Sequence, residues 1–481
     1  MKSLLNWLPD HPELAGLKAR ELTLDSREVG RNDVFVALSG RAFDGHDYID
    51  SAIAAGASAV LAERSVGDKA VPVIVMNDLR TRLGELAHRF YDNPTDHLAM
   101  VGITGTNGKT STCQYIAQSL DFLGKRCGII GTNGQGLWGA LQETLNTTPD
   151  VIRLHRELAR QLEQGGQFSA MEVSSHGLDQ GRVDGVRFHT AVFTNLSRDH
   201  LDYHGTMDAY GAAKWRLFQW PGLVNAVINL DDDWGRAHLD SVRADSVLTY
   251  GLAGDADVRV TDHRCRPTGL DAQVSTPWGA VELNLPLLGV FNLSNALAAF
   301  TVLLAESVPL STAARVVSNV HPVKGRMERV LIKNGPTVVV DYAHTPDALE
   351  KALRACRDHV QGRLGVIFGC GGDRDKGKRP EMAAAAERGA DFVVVTDDNP
   401  RSEASAYIIA DTRVGFARPE KVVEIANRRQ AIFDTLSRCS PDDVVLIAGK
   451  GHESYQEIQG VRHHFSDQET VLAWQEERYV E

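Results

Sequence analysis

Cysteine is scarce in this chain and never closely spaced. The six residues, Cys113, Cys127, Cys265, Cys356, Cys370 and Cys439, include no CxxC pair. That spacing excludes a zinc ribbon and a dithiol redox centre, and a reduced, cytoplasmic chain is the expectation. Long apolar runs are also missing. No stretch approaches the roughly 20 residues of a membrane span. The opening Leu4, Leu5, Trp7 and Leu8 stop at Pro9 and Asp10, too short a run for a signal peptide. No membrane insertion is expected. Basic charge falls short as well: 51 Lys and Arg against 63 Asp and Glu give a formal net charge of −12. Such a balance lacks the broad cationic face that nucleic acid requires, so no nucleic-acid partner is expected. Small anionic substrates stay open, because a few local cations suffice for them. Internal repeats and low-complexity linkers are absent too.

With 481 residues, 43% hydrophobic and 24% charged, the composition is that of a globular protein too long for one core, and about three domains are expected. Residues 1–97 read as short elements: Val34–Leu38 is strand-like, Tyr48–Ala55 helical and Ala59–Leu61 a buried strand. The turn-rich Asp92-Asn93-Pro94-Thr95-Asp96 marks a boundary. A second block, 98–328, opens with the strand Leu98–Ile103. A helix follows with Cys113, Ile116, Ala117 and Leu120 on one face. Further strands are predicted at Cys127–Ile130, Ser169–Val173, Thr190–Thr194 and Ala226–Asn229. The third block, 329–481, holds four buried strands, Thr337–Val340, Leu364–Phe368, Phe392–Thr396 and Val444–Ile447, each running into a polar or glycine-rich loop. Strands alternating with helices predict an α/β fold with mostly parallel sheets. Ligands bind beyond the carboxyl ends of such strands, so the loops beginning at Asp341, Gly369, Asp397 and Gly449 are candidates for one shared site.

The most specific local signal is Gly102-Ile-Thr-Gly-Thr-Asn-Gly-Lys-Thr-Ser111, between a strand and an amphipathic helix. Glycines let backbone N–H groups turn toward phosphate, Lys109 brings a positive charge to the outer phosphates, and Thr110 is suited to hold Mg²⁺. The helix N-terminus adds its own partial positive charge. Ile103 stands where the first glycine of GxxxxGK[ST] would be. Gly369-Cys-Gly-Gly372 lacks GxGxxG spacing and is a weak dinucleotide signal.

Gly105-Thr-Asn-Gly-Lys-Thr-Ser111 resembles the ATP loop of the Mur ligases, which build the peptide of the bacterial cell wall. The same family order continues through Asn146-Thr-Thr148, Glu172-Val-Ser-Ser-His176, Thr194-Asn-Leu-Ser-Arg-Asp-His200, Ala213-Lys214, Asn292-Leu-Ser-Asn295, Gly325-Arg-Met-Glu328 and Asp341-Tyr-Ala-His-Thr-Pro346. The resemblance covers essentially the whole chain. It implies a central P-loop ATPase-like sheet flanked by a small N-terminal α/β domain and a Rossmann-like C-terminal domain. It also implies an ADP-forming ligase in peptidoglycan synthesis. In that chemistry ATP turns a carboxylate into an acyl phosphate, an amine attacks, and phosphate leaves. Asp398-Asn-Pro-Arg401 resembles the members that add meso-diaminopimelate to UDP-N-acetylmuramoyl-L-alanyl-D-glutamate.

Residue by residue, the resemblance implies ATP binding by Gly105, Thr106, Asn107, Gly108, Lys109, Thr110 and Ser111, with Asn292, Asn295, Arg326 and Asp341. Thr110, Glu172 and His200 are the implied magnesium ligands. Lys214 is implied to react with CO₂, and its carbamate (N6-carboxylysine) to help hold a second Mg²⁺. On the residues alone His200 also reads as an ordinary loop histidine, Lys214 as a solvated helix lysine, and Asp341 equally well as a strand-end cap. The UDP-linked substrate is implied to meet Leu24, Ser26, Arg41, Ala42, Phe43, Asn146, Thr147, Thr148, Ser174, Gln180 and Arg182.

Diaminopimelate differs from lysine by a carboxylate at its far end, which arginine reads best through a planar two-pronged contact. Arg374 and Arg401 fit that role. Asp398, Asn399, Glu453 and the Gly449 carbonyl are candidate acceptors for ammonium groups, with Pro400 in the same loop. The run Asp373-Arg-Asp-Lys-Gly-Lys-Arg379 also reads as a solvated charge run. The third domain is expected to close over the second, and a monomer is expected. Two alternatives stand beside this reading: a folylpolyglutamate synthetase-like ligase, and a P-loop regulatory switch that binds nucleotide without amino-acid-stimulated hydrolysis.

Overall fold

Three mostly parallel sheets organise the chain, and their central strands are short β-branched and aliphatic runs buried on both faces. The computed structural model describes every residue except Arg41, Ala42, Leu145, Leu331 and Glu481, and leaves aside the side chains of Tyr479 and Val480. Two compact units result. One comprises Met1–Asp257 with Ala298–Val308, and the other Val258–Leu297 with Pro309–Glu481.

The first unit begins with a four-stranded parallel sheet, Leu22–Thr23, Val34–Ala37, Ala59–Ala62 and Val73–Val75. Its core includes Leu22, Val34, Leu61, Leu83 and Phe90, and extends to Val151 and Ile152 of a following helix. That helix, Val151–Glu163, starts where the Asp150 side chain accepts from the amides of Ile152 and Arg153. The larger sheet of this unit runs Ser246–Gly251, Asn225–Asn229, Phe188–Phe193, Ala99–Thr104, Phe168–Glu172, Cys127–Gly131 and Gly134–Leu137 across its width. All of these pair in parallel except the last. Ala99–Thr104 lies between a strand reached in one direction and a strand reached in the other. The chain order therefore reverses beside it, where an open α/β sheet leaves a crevice.

In the second unit Val258–Arg266, Gly269–Thr276 and Gly279–Leu285 form an antiparallel meander. The reading of the sequence had no elements there. Val258–Arg266 alternates weakly and is largely exposed toward its end, so no buried run announces it. The main sheet follows the order Glu328–Val330, Thr337–Asp341, Val444–Ala448, Leu364–Phe368, Phe392–Val395, Val423–Glu424. It is parallel but for the first strand. One face packs Val339, Leu353, Val366 and Leu446, the other Val338, Ile367, Val445 and Trp474. Register brings Asp341 level with Ala448, and Phe368 level with Val395. The four strand-end loops expected to share a site thus leave the sheet at one edge. No helix among the described residues is long and apolar enough to cross a membrane.

Candidate active site

The phosphate loop leaves the sheet at Gly105, whose φ of +149° is closed to most side chains. A Cβ there would fall 1.9 Å from Thr194 Oγ1, so only glycine lets the loop lie against the neighbouring strand end. That strand end staples it. Thr106 N donates to Asn195 O (2.8 Å), Asn107 N to Asn195 Oδ1 (2.9 Å), and Thr194 Oγ1 to Asn107 O (2.6 Å). Gly108, left-handed at φ +85°, then starts the helix Lys109–Phe122 without capping it by a side chain. The helix start thereby keeps its field for an anion.

Two lysines converge on one carbonyl. Lys109 Nζ donates to Gly105 O (2.8 Å) and Thr106 O (2.9 Å), and Lys214 Nζ to Gly105 O (2.8 Å). Lys214 is 1% exposed, with its nitrogen 4.4 Å from the centre of the Tyr210 ring. Burial, and then the positive charge of Lys109, push its pKa down to about 6. At neutral pH it is therefore largely an unprotonated amine, the form that attacks CO₂. The surface-lysine reading does not hold for it.

Glu172 ends its strand 2% exposed. It accepts from Thr110 Oγ1 (3.0 Å) on one oxygen and from Thr132 N (2.8 Å) on the other. The carboxylate and hydroxyl expected at magnesium thus touch. His200 adopts a left-handed backbone, φ +51°. Its ring stands edge-on to His176 at 4.9 Å and to Tyr210 at 5.9 Å. Tyr210 therefore lies beside both His200 and Lys214. No group of three or more His, Cys, Asp or Glu among the described residues has metal-holding geometry.

Beside Glu172 the second-block residues expected at the UDP-linked substrate form one network. Thr148 Oγ1 donates to Glu172 O (2.9 Å), Ser174 N donates to Thr148 Oγ1 (3.1 Å), and Ser174 Oγ caps the short helix Ser175–Asp179. Arg182 donates to Gln180 Oε1 and Thr148 O, both at 2.9 Å. Thr147 pairs with Thr132 at 2.9 Å, and Asn146 is exposed in the same loop. Gln180 and Arg182 line a cleft of about 630 Å³ with Arg80, Tyr203 and Arg216. A second cleft of about 760 Å³ holds Leu24, Ser26 and Phe43, and both clefts share Leu24, Leu38 and Asp150. Arg41 and Ala42, expected here, lie outside the described residues. Arg153 and Arg156 line the larger cleft. Nothing in their local sequence distinguishes them from surface arginines.

In the second unit several of the residues expected at diaminopimelate are brought together. Asp398 and Asn399 are buried, and Pro400 with them. Burial raises the Asp398 pKa, opposed by Lys450 and Arg428. A Cβ at Gly449 (φ +116°) would sit 2.4 Å from Asp398 Oδ2, so glycine allows that carboxylate its place. Asn399 Nδ2 donates to Glu453 Oε2 at 2.9 Å. Lys450, which the sequence reading passed over, is fully buried and donates to Asn399 Oδ1 (3.1 Å) and Glu453 Oε2 (3.2 Å). Arg401 Nη1 and Arg374 Cγ flank Gly371 at 3.0 and 3.5 Å from its Cβ position, and Arg374 is exposed. The charge run divides. Arg379 is wholly buried between Glu403 and Asp411, both at 2.8 Å, so it is scaffold rather than solvated face.

Asp341 accepts from Met327 N (2.7 Å) and Ala343 N (2.8 Å). Both oxygens act as a strand-end cap, one of the two readings open from sequence. Arg326 stacks over Tyr342 at 4.9 Å. Asn292 and Asn295 are buried, and Asn295 Nδ2 donates to Asn292 Oδ1 at 3.3 Å.

Comparison with known proteins gives three family matches: "Mur ligase family, catalytic domain" over residues 18–91, "Mur ligase middle domain" over 103–303 and "Mur ligase, glutamate ligase domain" over 325–451. A UDP-N-acetylmuramoyl-L-alanyl-D-glutamate--2,6-diaminopimelate ligase of Pseudomonas aeruginosa is 52% identical over 95% of this chain and 96% of that protein. The ligase of the same name from Neisseria meningitidis serogroup B is 47% identical, covering 95% of each. A solved structure bearing that ligase name superposes with a TM-score of 0.75 at 38% identity, over 96% of this chain and 95% of the other. A Mycobacterium tuberculosis folylpolyglutamate synthase shares the fold at TM-score 0.60 and 21% identity, over 76% of this chain and 91% of the other.

Proposed function

Because the chain belongs to the Mur ligase family, we propose that it is the ATP-dependent ligase joining meso-diaminopimelate to UDP-N-acetylmuramoyl-L-alanyl-D-glutamate. The observation that carries this reading is the acceptor cluster of the second unit. Arg374 and Arg401 stand around Gly371, within one set of strand-end loops that also holds Asp398, Asn399 and Glu453. That pairing of arginine forks with carboxylates suits an amino acid carrying ammonium and carboxylate at both ends. A nucleotide switch has no use for it.

The chain's own groups divide the work. The loop from Gly105 to Ser111 grips the triphosphate through backbone amides. Lys109 moves from neutral carbonyls to the outer phosphates and lowers the repulsion between them and the substrate carboxylate. Thr148, Ser174, Gln180 and Arg182 position the dipeptide end of the UDP-linked substrate beside Glu172, and the cleft of Leu24, Ser26 and Phe43 takes its far end. Thr110 and Glu172 fit Mg²⁺, which favours one or two carboxylate or hydroxyl oxygens and fills its shell with phosphate and water. When bound, it supplies charge neutralisation for phosphoryl transfer. His200, and Lys214 as its carbamate, would complete the metal surroundings; both lie beside Tyr210. Asn292, Asn295, Arg326 and Asp341 are proposed at the nucleotide. The D-glutamate side-chain carboxylate takes the terminal phosphoryl group of ATP and ADP leaves; the amine of diaminopimelate then attacks the acyl phosphate, the carbon–nitrogen bond forms as the carbon–oxygen bond to phosphate breaks, and the nitrogen gives up a proton.

A three-domain division at about residues 97 and 328 accords with the three separate family matches. A cytoplasmic monomer is proposed with it. The test is phosphate release by purified protein given ATP, Mg²⁺ and the UDP-linked dipeptide, with diaminopimelate or lysine. Diaminopimelate-dependent turnover is expected, and its absence sinks the reading. A preference for lysine sinks the acceptor assignment alone.

A further inference from the structure

Beside the acceptor loops stands a hairpin, Tyr455–Ile458 with Val461–His464. It pairs as two strands only, and its outer strand is exposed throughout. A two-stranded hairpin is marginal in water by itself, so what it is fastened to matters. Its inner strand and turn are fastened to three of the four residues of Asp398–Arg401. Gln456 Nε2 donates to Asp398 O (2.8 Å), and Glu457 N to Asn399 Oδ1 (2.9 Å). Arg401 N donates to Glu457 O (2.9 Å), and Gln459 N to Arg401 O (2.7 Å). Arg401 and Ile458 also form a parallel bridge.

Arg401 itself sits at φ +52°, a left-handed backbone that an L side chain takes only at a steric cost. Both of its main-chain groups are held by the hairpin, which therefore keeps it there. Its guanidinium is aimed from two sides: Nη1 donates to Gly372 O at 2.8 Å, and Nε lies 3.7 Å from Glu457 Oε2. The hairpin's own shape comes from Gln459 and Gly460, both at positive φ (+50° and +75°), the pattern of a two-residue turn that matches strand twist.

We propose that this hairpin determines acceptor specificity. It imposes the left-handed backbone of Arg401 and so aims the guanidinium at the carboxylate that diaminopimelate has and lysine lacks. Gln456 and Glu457 are positioning residues, acting through the tetrapeptide rather than on the substrate. The inference rests on the ligase reading above.

Gly460→Val tests it from outside the site. A Cβ at Gly460 meets nothing within 4 Å, so the change acts only through the turn's backbone. The expected result is a KM for diaminopimelate raised roughly tenfold, with a matching loss of preference over lysine and KM for ATP held within about twofold. Gln456→Ala with Glu457→Ala should act in the same direction. In an Arg401→Ala background all of these changes should add almost nothing, because the hairpin acts through Arg401. An unchanged KM for diaminopimelate in Gly460→Val, a parallel loss for every substrate, or full additivity with Arg401→Ala overturns the proposal. Wild-type protein that releases no phosphate in response to diaminopimelate fails the ligase reading first, before any variant is made, and takes this proposal with it.

Discussion

At the phosphate loop two lysines meet on one carbonyl: Lys109 and Lys214 both donate to Gly105 O, and burial together with the charge of Lys109 leaves Lys214 largely an uncharged amine. In and beside the acceptor loops the buried cations Lys450 and Arg428 meet carboxylates. Lys450 lies on Glu453, and Arg428 makes a two-pronged pair with Asp467, both of them wholly buried, while also donating to the Ala448 carbonyl (3.0 Å). A carbonyl oxygen carries only a partial charge, so it offsets less of the Lys109 charge than a carboxylate would. A cation on a carboxylate is committed, and its use is to fix geometry. One region therefore suits a triphosphate, and the other a substrate whose own charges cancel.

The contrast can be broken by removing one cation of each kind. Arg428→Met leaves Asp467 buried and unmatched, and should cost about 3–5 kcal/mol of stability by chemical denaturation. A loss below about 1 kcal/mol would show that the pair is not the committed element described here. Lys109→Ala should leave stability nearly unchanged and cut kcat by roughly 10²–10³, about 2.7–4 kcal/mol, the scale for one lost charge-stabilising donor. If Lys109→Ala instead unfolds the protein, the two regions do not differ as argued. Arg401→Ala should raise KM for diaminopimelate by roughly 10–100-fold, about 1.4–2.8 kcal/mol, and leave KM for ATP alone.

A smaller effect belongs to neither region and sharpens the contrast as a control. His88 and His155 are fully buried, with ring centres 5.3 Å apart. Burial holds His155 down to about 4 against an ordinary 6.5. Its folded pKa lies below the unfolded one, so the unfolded chain takes the proton first. Stability is complete above about 6.5 and declines as pH falls toward 4. Between pH 7 and pH 5 the expected loss is roughly 2 kcal/mol. His155→Gln, which can still donate to Asp184 O, should flatten that dependence in thermal melts without altering acceptor choice. An equally steep acid loss in the variant would assign it to other groups. Mass measurement under CO₂ should also show one added carboxylate on the wild type and none on Lys214→Ala.

How much was legible in the sequence followed the same division. The phosphate loop is one continuous segment, so strand, glycines, Lys109 and helix could be read in order. Glu172 and Thr110 were placed near magnesium, and their side chains touch. The central buried strands lie within a residue or two of their expected places, because continuous apolar runs leave little choice, whereas the short or edge strands Leu22–Thr23, Val73–Val75, Gly134–Leu137, Ser246–Gly251, Glu328–Val330 and Val423–Glu424 were not expected. The meander over 258–285 was missed because its strands expose one face and carry no such run. Lys450 was missed because a lysine after a strand reads as solvent-facing until the distant Asn399 that its nitrogen meets is known. The Gln459-Gly460 turn was there to be read. What it turns against was not, since Arg401 lies far away in the chain.

By itself, the sequence determined the α/β class, the phosphate loop, the strand-end loops and the family, all of which rest on local pattern and residue order. Tertiary structure alone decided which charges are spoken for. It buried Arg379 and Arg428 against carboxylates from distant segments and Lys450 against the distant Asn399 and its near neighbour Glu453, turned Asp341 into a cap, and made Lys214 a largely neutral amine. Burial and pairing set the state of an ionisable group, and both depend on neighbours that only folding supplies.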